Sequence, residues 1–179
     1  MPLAAALAGI AWWRLFAVHV PGQRMGGGLG IDREEANRTA LALGRQGRHQ
    51  ESIPYFREVV RQDPRSGIAH ENLASALGNG AQQVRTHLGK TDNANRSSVE
   101  RIAMLKETIA ETENARQLAR TDQERVYYLL EQGRTIYTWG FPIDALDRMR
   151  AAYEIAPGNP AVERSFHGLE HELATGKRP

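Results

Sequence analysis

Apolar residues recur along most of this chain at helical rather than strand spacing, and the clearest unit lies between Val126 and Asn159, VYYLLEQGRTIYTWGFPIDALDRMRAAYEIAPGN. Residues three and four apart share one helical face, so Val126, Leu129, Leu130 and Ile136 form one apolar stripe. Ala145, Met149 and Ala152 form a second beyond the Gly140 turn. The pattern predicts two antiparallel helices, with small residues at Gly133 and Ala145 where they cross closely and with Pro157 ending the second helix.

The same spacing recurs twice upstream. From Arg33 to Ser66 the sequence places Ala40, Leu43, Gly47, Ser52, Phe56, Val59 and Pro64 in the same frame. Asp32, followed three residues later by Glu35, is an N-cap signal for the first of these helices. Ser52 and Val59 stand where smaller residues fit best and suggest looser packing, and Pro54 is read as lying in the first turn of its helix, where it is tolerated. A second unit opens at Gly67 with Leu73 and Ala74 on register. Gly80 to Arg96, GAQQVRTHLGKTDNANR, is then polar and turn-rich, with only Val84 and Leu88 at helical spacing. It is expected to be the most mobile interior segment. Ser97 and Glu100 form a capping box before Val99, Ile102, Leu105 and Ile109, predicting a helix that runs to about Arg120, and Thr121 with Glu124 caps the next. Two readings fit: a repeat whose second helix is displaced behind an insertion at 80–96, or a short helix from Gln82 to Leu88 followed by an extra one. After Asn159-Pro160, Val162, Phe166, Leu169 and Leu173 give a one-sided stripe suited to a helix that closes the array.

Three units in one 34-residue frame, with small, bulky, turn and Pro positions in order, resemble tetratricopeptide repeats. The resemblance covers about residues 32–173, strongly for the first and third units and half-way for the second. It implies an all-α fold of antiparallel helix-turn-helix repeats in a right-handed superhelix. The repeats are expected at about 33–66, 67–125 (with the insertion 80–96) and 126–159, and a capping helix at 160–174.

The resemblance also implies a non-catalytic protein-interaction scaffold whose ligand lies in a concave groove lined by the first helix of each repeat. Carried over by position, that groove comprises Glu34, Asn37, Arg38, Leu41 and Arg45 in the first unit. The second contributes Ile68, Glu71, Asn72, Ser75 and Asn79, and the third Tyr127, Leu130, Glu131, Arg134, Tyr137 and Thr138. Members that hold a chaperone C-terminal carboxylate use a clamp of basic and amide side chains. Only Asn72 matches it here, while Asn37, Leu41, Tyr127 and Glu131 stand at the other clamp positions. A protein or peptide partner with an apolar anchor is expected instead, held above all at Tyr127, Arg134 and Tyr137.

Composition narrows the function further. There is no cysteine, which excludes disulfides and thiolate chemistry. The chain carries 23 basic and 21 acidic residues. Every acidic residue lies from Asp32 onward, and the excess of positive charge comes from Arg14 and Arg24, so the repeats are formally neutral and nucleic-acid binding is not expected. No cofactor, metal or small-molecule substrate is expected either. His167-Gly-Leu-Glu-His171 has the H-x-x-E-H order of an inverted zinc-peptidase motif, yet both imidazoles fall on the side of their helix away from the apolar stripe and no third ligand follows. It is read as coincidence, leaving a small metal-dependent hydrolase as the enzymatic alternative. Gly-rich residues 26–30 lack the lysine and the preceding strand of a phosphate loop and are read as a linker.

Residues 3–20, LAAALAGIAWWRLFAVHV, are apolar apart from Arg14 and His19. As a helix they would measure about 27 Å, close to the hydrocarbon thickness of a bilayer. Seven strongly apolar side chains contribute about −2 to −4 kcal/mol to insertion against roughly +3 for a central Arg, so spanning is marginal. Arg14 lies within snorkelling reach of the helix end, and Trp12 and Trp13 suit an interface. The segment lacks the flanks of a secretory signal and the serines of a transit peptide. Residues 1–31 are therefore expected to be a retained hydrophobic helix and linker that tether the domain 32–179 to a membrane, with the repeats on the cytoplasmic side. The function expected is a membrane-associated adaptor or assembly factor, or alternatively a permanent structural subunit of a larger membrane complex.

Overall fold

The computed structural model describes residues 28–87 and 94–176. The chain divides into two units, Met1–Gly30 and Ile31–Pro179, and only the second carries helices among its described residues. These are α1 (Arg33–Arg45), α2 (His49–Gln62), α3 (Gly67–His87), α4 (Ala94–Leu118), α5 (Asp122–Thr138), α6 (Pro142–Ile155) and α7 (Pro160–Thr175). Each packs chiefly on its neighbours in the chain, giving the pairs α1–α2, α3–α4 and α5–α6 with α7 closing the end. The expected membrane segment, residues 3–20, lies outside the described residues. Among those described, no helix is long and apolar enough to cross a membrane.

The punctuation read from the sequence operates at several helix ends. Asp32 accepts from the Glu35 amide at 2.8 Å. Thr121 and Glu124 make a reciprocal capping box, and Asn159 accepts from the amides of Ala161 and Val162 ahead of Pro160. Glu124 also takes the Arg120 and Thr121 amides, and these backbone bonds hold its carboxyl below the usual carboxylate range. Between α1 and α2, and again between α5 and α6, a glycine turns left-handed, Gly47 at φ 73° and Gly140 at φ 90°. Each lets the following amide reach back to the helix end, Arg48 to the Leu43 carbonyl and Phe141 to Ile136.

The second repeat departs from expectation for the same reason. Its residue in the turn-glycine position is Ala81, which has a Cβ and is fully buried. The glycine stands one place earlier, at Gly80, inside the helix. With no left-handed stop available, α3 continues to His87, so much of the segment read as polar and turn-rich is helix, and a separate short helix at 82–88 is ruled out. The extension is anchored: a Cβ at Gly80 would sit 3.3 Å from Ile53 Cδ1, Gln50 Nε2 donates to the Gly80 carbonyl at 3.5 Å, and the Gln83 side-chain amide donates to the Gly47 carbonyl.

The partner helix α4 also begins earlier than the capping box suggested, at Ala94 rather than after Ser97. Its inward face is Leu105, Thr108, Thr112 and Ala115, all buried, whereas Val99 and Ile102 are 69% and 51% exposed. The two threonines tolerate burial because each hydroxyl donates to the carbonyl four residues back, Met104 at 2.8 Å and Thr108 at 2.7 Å. Pro54 is a further correction, since α2 starts at His49 and the proline lies inside the helix.

Two larger apolar clusters hold the array, beside a small one of Ala36, Val59 and Ala69. One joins Ala40, Ile53, Phe56, Leu73, Ala76 and Leu77 across α1, α2 and α3. The other joins Val126, Leu129, Ile136, Ala145, Met149, Val162 and Phe166 across α5, α6 and α7. Each fully buried Leu, Val or Phe contributes about 1.5–3 kcal/mol relative to exposure. Close crossing depends on the small residues: a Cβ at Gly133 would lie 3.0 Å from Met149 Cγ and 3.3 Å from the Ala145 carbonyl oxygen. Ser52 is fully buried rather than loosely packed, its hydroxyl donating to the His49 carbonyl at 2.7 Å. Polar clasps join α4 to its neighbours. Arg57 on α2 forms a two-pronged pair with Glu107 at 2.8 and 2.6 Å, and the buried His70 on α3 meets Glu111 at 2.5 Å and the Pro64 carbonyl at 3.0 Å.

Candidate binding cleft

The first helices of the second and third repeats, α3 and α5, stand apart and leave a cleft of about 440 Å³ between them. Glu71, Asn72, Ser75 and Asn79 line one wall; Tyr127, Glu131, Arg134 and Thr138 line the other; Thr108 and Thr112 of α4 form part of the floor. Wall residues recur at spacings of three and four because each helix presents one face. They are polar because that face is the one not used for packing.

At one end the walls are joined. Tyr127 Oη donates to Glu71 Oε1 at 2.9 Å and Tyr128 Oη donates to Glu71 Oε2 at 3.2 Å, while the two rings meet edge-on with centroids 5.3 Å apart. Burial and the Glu71 carboxylate together push both phenols up to about 12, since ionising either would place a second negative charge beside the first in a partly desolvated site. In the middle, Arg134 is held by Glu131 one turn earlier on the same helix. At the far end Trp139 lines the cleft, and the Arg101 guanidinium of α4 stacks over its ring at 4.9 Å.

Of the residues expected to line a groove, Glu71, Asn72, Ser75, Asn79, Tyr127, Glu131, Arg134 and Thr138 meet in this cleft. Leu130 does not, being 6% exposed within the α5–α6–α7 core. Tyr137 turns the other way and donates to both carboxylate oxygens of Glu172 on α7 at 2.9 Å. Asn37, Arg38, Leu41 and Arg45 sit on α1 away from this cleft, and Leu41 packs on the first core cluster. Sequence reasoning missed Tyr128, Gln82, Thr135, Trp139 and the two floor threonines. The spacing of Leu105, Thr108, Thr112 and Ala115 could have located the floor, had threonine been allowed on an inward face.

His167 and His171 are exposed on α7. The His167 ring packs edge-on against Tyr153 at 5.2 Å, and its Nδ1 lies 3.3 Å from Glu170. Among the described residues, no group of three or more His, Cys, Asp or Glu side chains could hold a metal ion.

No family model matches the sequence, and no curated protein matches it. Among solved structures, the first tetratricopeptide domain of Spaghetti (RPAP3), bound to the HSP90 peptide SRMEEVD, is similar at a TM-score of 0.53 and 16% identity, covering 83% of this chain and 100% of that one. The fold of residues 31–176 is that of a tetratricopeptide-repeat domain.

Proposed function

We propose that this chain is a non-catalytic scaffold that binds a protein segment in the cleft between α3 and α5. The observation that carries this reading is the cleft itself, in which eight residues placed by repeat position alone, among them Glu71, Asn72, Tyr127, Glu131 and Arg134, converge on one open polar surface. Amide and hydroxyl side chains along both walls suit the main chain of an extended segment, and Tyr127, 46% exposed, offers an aromatic anchor. The structural neighbour, whose own peptide is an HSP90 segment, supports a peptide as the class of ligand. The test is selection of binders from a random dodecapeptide library on the immobilised full chain, followed by affinity measurement against Ser75→Trp. An affinity about tenfold or more lower in the variant supports the cleft. Equal affinities place binding elsewhere.

A second part of the proposal rests on residues 3–20. Their length and apolar composition, with Trp12 and Trp13 beside Arg14, support a tether that brings the scaffold to a membrane, with the repeats on the cytoplasmic side. Retention of the full chain in membranes after alkaline carbonate extraction, with residues 32–179 recovered as soluble protein, is the expected result. Release of the full chain would restrict the segment to a peripheral or protein-buried role.

A further inference from the structure

We infer that the segment taken by this cleft carries a basic side chain, arginine or lysine, seated on Glu71 against the ring of Tyr127; the inference rests on the cleft reading above. Three charged residues line the cleft: Glu71, Glu131 and Arg134. Arg134 is already paired with Glu131, so it offers an incoming carboxylate little that is not spent. Glu71 is held differently. Among the described residues it receives two neutral phenol donors and is paired with no cation, and Tyr127 and Tyr128 orient it at the mouth where the walls meet.

A carboxylate fixed by two hydroxyl groups beside an aromatic face is complementary to a guanidinium or ammonium group. The carboxylate supplies the charge-assisted bond, and the ring face, exposed at Tyr127, supplies a cation–π contact. The phenols reinforce this. Each keeps its proton well into the alkaline range, so the donors that orient Glu71 do not become competing anions at neutral pH. An acidic segment would instead bring like charge against Glu71 and would have to break the Glu131–Arg134 pair to find a cation. At the opposite end the Arg101 guanidinium already covers the Trp139 ring, so the seat for a basic residue is at the Glu71 end.

The experiment uses three pools of fluorescein-labelled decapeptides with a fixed central Arg, Gln or Glu and all other positions randomised over neutral residues, titrated against the full chain at low ionic strength. The Arg-centred pool should bind about tenfold more tightly than the Gln-centred pool, and the Glu-centred pool more weakly than either. Glu71→Gln combined with Glu131→Gln keeps the shapes and one of the two phenol acceptors but leaves Arg134 as the charged group of the lining. In that variant the order should invert. Equal binding of the three pools, or an Arg preference unchanged in the double variant, overturns the inference. Ser75→Trp separates the two levels: if it abolishes binding while the pools bind wild type equally, the cleft stands and the basic seat falls. If it leaves Arg-pool binding intact, the cleft reading itself is wrong.

Discussion

The Tyr128 hydroxyl on α5 donates to Glu71 on α3 across 3.2 Å, and the same carboxylate takes the neighbouring Tyr127 hydroxyl at 2.9 Å. One acidic side chain thereby ties the first helices of two successive repeats at the mouth of the cleft. Both phenols are raised from 10 to about 12, by burial first and by Glu71 in addition. A raised folded-state value means the contribution to stability is complete below pH 10 and is lost as the pH rises toward 12. Ultraviolet titration of phenolate should show Tyr127 and Tyr128 ionising late. Glu71→Gln, which removes the charge, should bring that pair down. A titration curve identical in the two proteins would contradict the geometry.

Close packing of α5 on α6 gives a stability prediction. Ala145 is fully buried, its carbonyl oxygen lies 3.3 Å from where a Gly133 Cβ would be, and Met149 fills the adjoining space. Ala145→Leu should overpack this crossing and cost about 1 to 3 kcal/mol. Chemical denaturation measures it, and an unchanged midpoint would mean the third repeat is framed wrongly.

The fold was legible where a physical rule maps onto one residue. Asp32, Thr121 and Asn159 cap helices because their side-chain oxygens reach free amides, and Gly47 and Gly140 end helices because they can turn left-handed. The second repeat was misread because polar composition was allowed to stand for a turn, when Ala81 offers no left-handed stop and the amphipathic run simply continues. The α4 face was misread in the complementary way. Val99 and Ile102 are apolar yet exposed, and Thr108 and Thr112 are polar yet buried with their hydroxyls satisfied locally. In the cleft, repeat position places wall residues whose side chains leave their own helix, but not Leu130, which joins the core shared by α5, α6 and α7, nor Tyr137, whose hydroxyl goes to Glu172 on α7.

Extension of α3 through Gly80 predicts slow amide exchange at Ala81 and Val84, both buried within the helix. Native-state hydrogen exchange should find them as protected as Leu73 and Leu77. Exchange at the rate of an open chain would restore the insertion reading.

His70 and Glu111 clasp α3 to α4 in a setting where the imidazole is 5% exposed. Glu111→Ala leaves a buried ring nitrogen without its partner and should cost about 1 to 3 kcal/mol. Glu111→Gln, which retains a polar partner, should cost less. Equal losses in the two variants would show that packing, rather than the hydrogen bond, sets the effect.

The central claim is that ligand lies between α3 and α5, and hydrogen exchange read by mass spectrometry on the full chain, with and without a library-selected peptide, tests it most directly. The account predicts added protection in the segments spanning Glu71–Gln82 and Tyr127–Trp139, with α2 and α6 unaffected. Protection confined to α2, α6 or α7, with none along the two cleft walls, would contradict it.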